Sequence, residues 1–181
     1  MSLFLATLLP GLFLALLGAL LAWGDPRVSS TAKALPRSQR GAWLFFGAGA
    51  LWFLYRLSQL GEADLIFFQK PAPVMIAFGV LAVLAFIYAP DFLAVRGLCV
   101  LMLLAAEPLL YAAYMEWQHP QRLLMVTAVY TGLALALYLA AAPYRLRDFF
   151  DWLFLRPGRA RALGAGLLAY GLVTAVAAFT Y

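Results

Sequence analysis

The sequence predicts an all-α polytopic membrane protein, a bundle of six transmembrane helices with one interfacial amphipathic helix before the last span. Three observations lead there. Hydrophobic residues make up 66% of the chain and charged residues 12%, against roughly 45–50% and 25% in soluble domains. The apolar residues lie in runs of about 20, the length that crosses a hydrocarbon core of about 30 Å as a helix. The Lys and Arg residues fall mostly in two of the connections between those runs. A water-soluble fold has no interior large enough for this much apolar surface, and 181 residues leave no room for a separate soluble domain.

The expected spans are residues 2–23, 41–61, 71–90, 93–115, 123–143 and 162–181, forming a single transmembrane domain over 1–181. The first has no basic residue ahead of it and exceeds the 7–15 apolar residues of a secretory signal, so it reads as a retained helix. The second is interrupted by Arg56, and the fourth by Glu107 followed by Pro108. The other spans carry no charge. Over about 145–155, Leu146, Phe149, Phe150, Leu153 and Phe154 recur at helical spacing, with Arg145, Asp148 and Asp151 opposite. That pattern suits a helix lying flat on the membrane surface, and Pro157 and Gly158 end it.

Small residues recur four apart at Gly11, Ala15 and Ala19, at Gly132, Ala136 and Ala140, and at Ala162 and Gly166. In lipid such spacing allows close backbone approach. It serves packing within the bundle or a face for a second copy of the chain.

Orientation follows from the basic connections. Arg27, Lys33, Arg37 and Arg40 lie in the first, and Arg145, Arg147, Arg156, Arg159 and Arg161 in the last. Six spans put both on one side, expected to be cytoplasmic because such loops are enriched in Lys and Arg. Both termini are then expected outside. Compactness and short loops point to a bacterial cytoplasmic (inner) membrane. The net charge of +5 reads as topology and contact with anionic lipid rather than nucleic acid. Arg96, Arg145, Arg147 and Arg159 are the headgroup candidates. One cysteine, Cys99, permits no intramolecular disulfide and no thiolate cluster.

Arg56 and Glu107 are the most informative residues, because an ionisable side chain inside a span costs about 2.5–3.5 kcal/mol on insertion scales and usually faces the bundle interior. Taking 41–61 as running outward, Arg56 lies roughly 7 Å beyond its midpoint at the helical rise. Glu107 lies near the middle of its own span. The depths allow a buried Arg56–Glu107 ion pair. Two other readings remain open: Arg56 snorkels alone to the headgroups, or Glu107 is simply protonated in an apolar setting. Pro108 leaves the Leu104 carbonyl without its helical donor. Tyr111, one turn from Glu107, and Tyr130 with Thr131 on the fifth span are expected at similar depth, where they line an outward cavity or belong to packing and the aromatic belt. Glu116 and His119 have Glu-x-x-His spacing, which di-iron bundles use twice. Here it occurs once, so no metal and no cofactor is expected.

Gly-x-Ser-x-Gly, His-Glu-x-x-His, phosphate-loop and nucleotide motifs are absent from the sequence. The leading expectation is a non-catalytic role as a small subunit or partner of a larger membrane assembly, with polar interior residues too few for a permeation path. Its partners are the lipid bilayer, other membrane subunits and a second copy of the chain. The alternative is a small transporter or channel in which Arg56 attracts an anion and Glu107 exchanges a proton. A third reading is an enzyme acting on lipid or isoprenoid through Glu62, Asp64, Glu116 and His119.

Overall fold

The computed structural model describes residues 1–61 and 71–181, so Glu62, Asp64 and Lys70 lie outside the described residues. Among those described, all regular structure is helical. The helices are α1 (Leu3–Trp23), α2 (Pro26–Ala34), α3 (Gln39–Gly41), α4 (Gly47–Ser58), α5 (Ala72–Tyr88), α6 (Leu93–Ala112), α7 (Arg122–Ala141), α8 (Tyr144–Phe154) and α9 (Pro157–Ala177). Four helices are long and apolar enough to cross a membrane: α1, α6, α7 and α9 extended through Thr180. The apolar α5 is shorter, at 17 residues. Between α3 and α4 the turns Ala42–Phe46 are π-helical, so 39–58 forms one helical rod widened near its start.

Local chemistry sets the boundaries. The Ser2 hydroxyl caps α1 by accepting from the Leu5 amide at 3.4 Å. Gly24 ends that helix at φ 72°, a left-handed conformation that glycine adopts without Cβ strain. Asp25 then caps α2, its carboxylate accepting from the Arg27 amide at 2.8 Å, with Pro26 pre-set for the first turn. The fourth run stops at Ala112, short of the expected 115, and Met115 turns at φ 65°.

Helices α1 and α9 form the closest pair, antiparallel, with backbones nearly in contact. A Cβ on Gly11 would meet the Ala175 amide nitrogen at 2.6 Å, and one on Gly164 would meet Ala22 nitrogen at 2.5 Å. The seam is Gly11, Ala15 and Gly18 against Gly164, Gly171 and Ala175. Of the expected stripes, Gly11 and Ala15 lie in it and Ala19 does not. Gly132 abuts the Met102 side chain, and Ala136 packs with Val95 and Cys99. Ala140 is exposed, as is Ala162, and nothing approaches Gly166 within 4 Å. Seam membership turns on azimuth: Gly18, three residues after Ala15, faces α9 where Ala19 has rotated away.

Helix α6 is central. One side meets α7 and α1 in a cluster of Ala6, Ala106, Ala113, Met125 and Val129. The other meets the 39–58 rod, where the pairs Gly41 with Ala94, Phe46 with Gly97 and Gly49 with Val100 run in the same direction, so the two helices are parallel. Gly97 lies so close to the Phe45–Phe46 backbone that a Cβ would not fit. Helix α5 runs back along the rod through Phe53–Phe78 and Trp43–Phe86 ring contacts and buries none of its residues.

The two basic connections share one end of the molecule. Lys33 of α2 pairs with Asp151 of α8 at 3.7 Å. The apolar side of α8 packs onto protein, Leu153 lying in a cluster with Leu21 and Ala160, while Phe149 and Trp152 stay exposed. At the opposite end the termini meet: Thr7 and Tyr181 hydroxyls are 3.1 Å apart and the Phe4 and Phe179 rings 5.3 Å.

Candidate functional site

Arg56 stands in the last turn of α4 and Glu107 five residues before the end of α6. Because the rod and α6 are parallel and aligned from Gly41 beside Ala94 onward, these residues reach the same level. Arg56 Nη2 donates to both carboxylate oxygens of Glu107. A charge-assisted contact of this kind is stronger than a bond between neutral groups. Its position is not the bundle interior: the side chains are 47% and 60% exposed, on the outer flank of α4 and α6. Each residue lies one helical position away from the inward face, since neighbouring Leu57 and Ala106 are the buried ones.

Tyr111 lies on the same flank, one turn beyond Glu107 and 77% exposed. Tyr130 and Thr131 do not join it. The Thr131 hydroxyl donates back to the Thr127 carbonyl at 2.8 Å. Tyr130 instead lines a separate groove of about 290 Å³ between α6 and α7, together with Leu110, Tyr114, Trp117, Arg122 and Val126. A second hollow, of about 500 Å³, lies at the basic end beside Ser30, Thr31 and Ser38, remote from both.

Sequence reasoning passed over Arg122, which starts α7. Its guanidinium donates through Nη1 to the Ala113 carbonyl, closing the end of α6, and lies 4.8 Å over the Trp117 ring. A signal was present: a cation at a helix N-terminus opposes the macrodipole, so Arg122 needs a partner elsewhere. The Tyr170 hydroxyl, also overlooked, donates to the Leu124 carbonyl at 2.7 Å and pins α9 to α7.

His119 packs edge-on against Tyr181 at 5.3 Å, and Glu116 is exposed. Among the described residues no three His, Cys, Asp or Glu side chains gather. Of the headgroup candidates, Arg96 is exposed at the start of α6. Arg147 bonds to Asp148 at 2.8 Å. Arg145 lies over Tyr144 at 5.5 Å. Arg159 covers the Trp152 ring at 4.6 Å and donates to its carbonyl at 3.0 Å.

The class these features define is an all-helical protein with several membrane-type helices. No family model, no curated protein and no solved structure matches the chain.

Proposed function

We propose that the chain is a six-span, non-catalytic membrane protein serving as a small subunit or partner of a larger membrane assembly, and that it docks through the flank carrying Arg56 and Glu107. The observation behind this is the outward-facing ion pair. An ion pair against hydrocarbon keeps most of its desolvation cost, and such groups normally face protein or water. A neighbouring transmembrane helix that offers hydrogen-bond acceptors to the remaining guanidinium N–H groups covers it. Tyr111, exposed one turn beyond Glu107, extends the same contact.

In this reading α1, the 39–58 rod, α5, α6, α7 and α9 cross in alternating directions. Twenty residues of rod span about 30 Å and the 17 of α5 about 25 Å, short enough to ask for slight local thinning. Helix α8 then lies at the interface, and the basic end faces the cytoplasm of a bacterial cell with both termini outside. The transporter alternative needs Arg56 and Glu107 to line an enclosed space, and their outward aim favours docking instead.

The test is a photo-reactive residue at Tyr111 and, separately, at Ile76 on α5, irradiated in native membranes. An adduct with another polypeptide from position 111, absent from position 76 and lost in Glu107→Leu, is the expected outcome. Adducts with lipid alone from both positions refute it.

A further inference from the structure

The groove between the end of α6 and the start of α7 has the composition of an amphiphile site, and the flank discussed above plays no part in it. Part of its lining is aliphatic, from Leu110, Leu123 and Val126. The rest includes Arg122, Trp117, Tyr114 and Tyr130. Tyr130 sits two turns below Arg122 on α7, and helical side chains lean toward the N-terminus, which brings its phenol up toward the guanidinium.

Arg122 is oriented rather than free. The Ala113 carbonyl takes one Nη1 donor and the Trp117 ring supports one face. A guanidinium has five N–H donors, so Nε and Nη2 remain for an anion. Among the described residues no carboxylate pairs with Arg122. The groove is therefore a fixed cation above an apolar channel, at the end of the helices where Trp and Arg meet headgroups.

We propose that this groove binds one phospholipid of net negative charge, from the leaflet at the termini's end of the molecule. Its phosphate lies on Arg122 Nε and Nη2, its polar neck faces the Tyr114 and Tyr130 hydroxyls, and one acyl chain runs along Leu110, Leu123 and Val126. Charge complementarity selects the anionic headgroup, and the aliphatic wall selects a lipid over a soluble anion.

The test uses the full chain in mild detergent, titrated with phosphatidylglycerol or phosphatidylcholine and read by native mass spectrometry. Retention of phosphatidylglycerol about fivefold above phosphatidylcholine is expected, the worth of one basic residue near an anionic headgroup. Arg122→Gln brings the ratio to about one. Leu123→Trp, at a position 56% exposed, fills the channel and lowers retention of both lipids with Arg122 in place; it decides the matter if Arg122→Gln fails to fold. Arg145→Gln with Arg147→Gln, at the other end, leaves the preference standing. Equal retention of the two lipids, a preference that survives both groove variants, or one that follows Arg145 and Arg147 overturns the proposal. So does displacement of phosphatidylglycerol by millimolar inorganic phosphate, which identifies an ion site and no lipid channel.

Discussion

The α1–α9 seam offers the sharpest test of the fold, because adding one carbon atom at Gly171 separates packing from propensity. A Cβ there would meet the Gly11 carbonyl oxygen at 2.7 Å and Ala15 Cα at 2.9 Å, against an ordinary contact of 3.4 Å or more. The neighbours are backbone and have no rotamer to yield, so the helices separate by at least about 0.7 Å. Overpacking of this kind costs about 1–3 kcal/mol. Gly79 on α5 is the control, since nothing lies within 4 Å of its added Cβ. Alanine gains about 0.8–1.0 kcal/mol of helix propensity over glycine at either site. Gly79→Ala should therefore gain up to about 1 kcal/mol, and Gly171→Ala should range from about neutral to a loss of about 2 kcal/mol. The difference between the variants isolates overpacking. Reversible unfolding by steric trapping in bicelles measures both. If Gly171→Ala proves as stable as Gly79→Ala, the helices are not in backbone contact and the seam is misassigned.

Three further outcomes follow from the same geometry. A double-mutant cycle on Arg56→Leu and Glu107→Leu in a bilayer should give a coupling of about 0.6 kcal/mol and no more than about 1.7, the scale such cycles give for polar contacts between membrane helices; zero coupling removes the ion pair. Asp151→Ala should cost no more than about 1 kcal/mol by chemical unfolding, because its pairing with Lys33 is exposed and long; a larger loss means that α2 and α8 depend on that contact. Cysteines at Arg37 and Arg159 should react with an impermeant maleimide from one side of sealed vesicles, and cysteines at Ser2 and Thr180 from the other. Reaction of Arg37→Cys and Arg159→Cys from opposite sides would dismantle the helix count and the shared end on which the orientation depends.

The primary structure determined the class of protein, all-helical with several membrane-type helices. Uncharged runs of about 20 residues suit a helix in lipid, where every backbone group is bonded within the segment, and caps such as Ser2 and the Gly24–Asp25–Pro26 turn are local chemistry written in adjacent residues. Relative level along neighbouring helices was legible too, since rise per residue is fixed, and Arg56 pairs with Glu107. Rotation about each helix axis was not. That angle depends on which backbones approach most closely, a property of pairs of helices and not of any one. It put Gly18 rather than Ala19 in the seam, left Gly166 bare, and placed Tyr130 in the groove that Arg122 also lines. The same rotation turned the ion pair outward, so its exposure, unlike the pairing itself, came from tertiary packing.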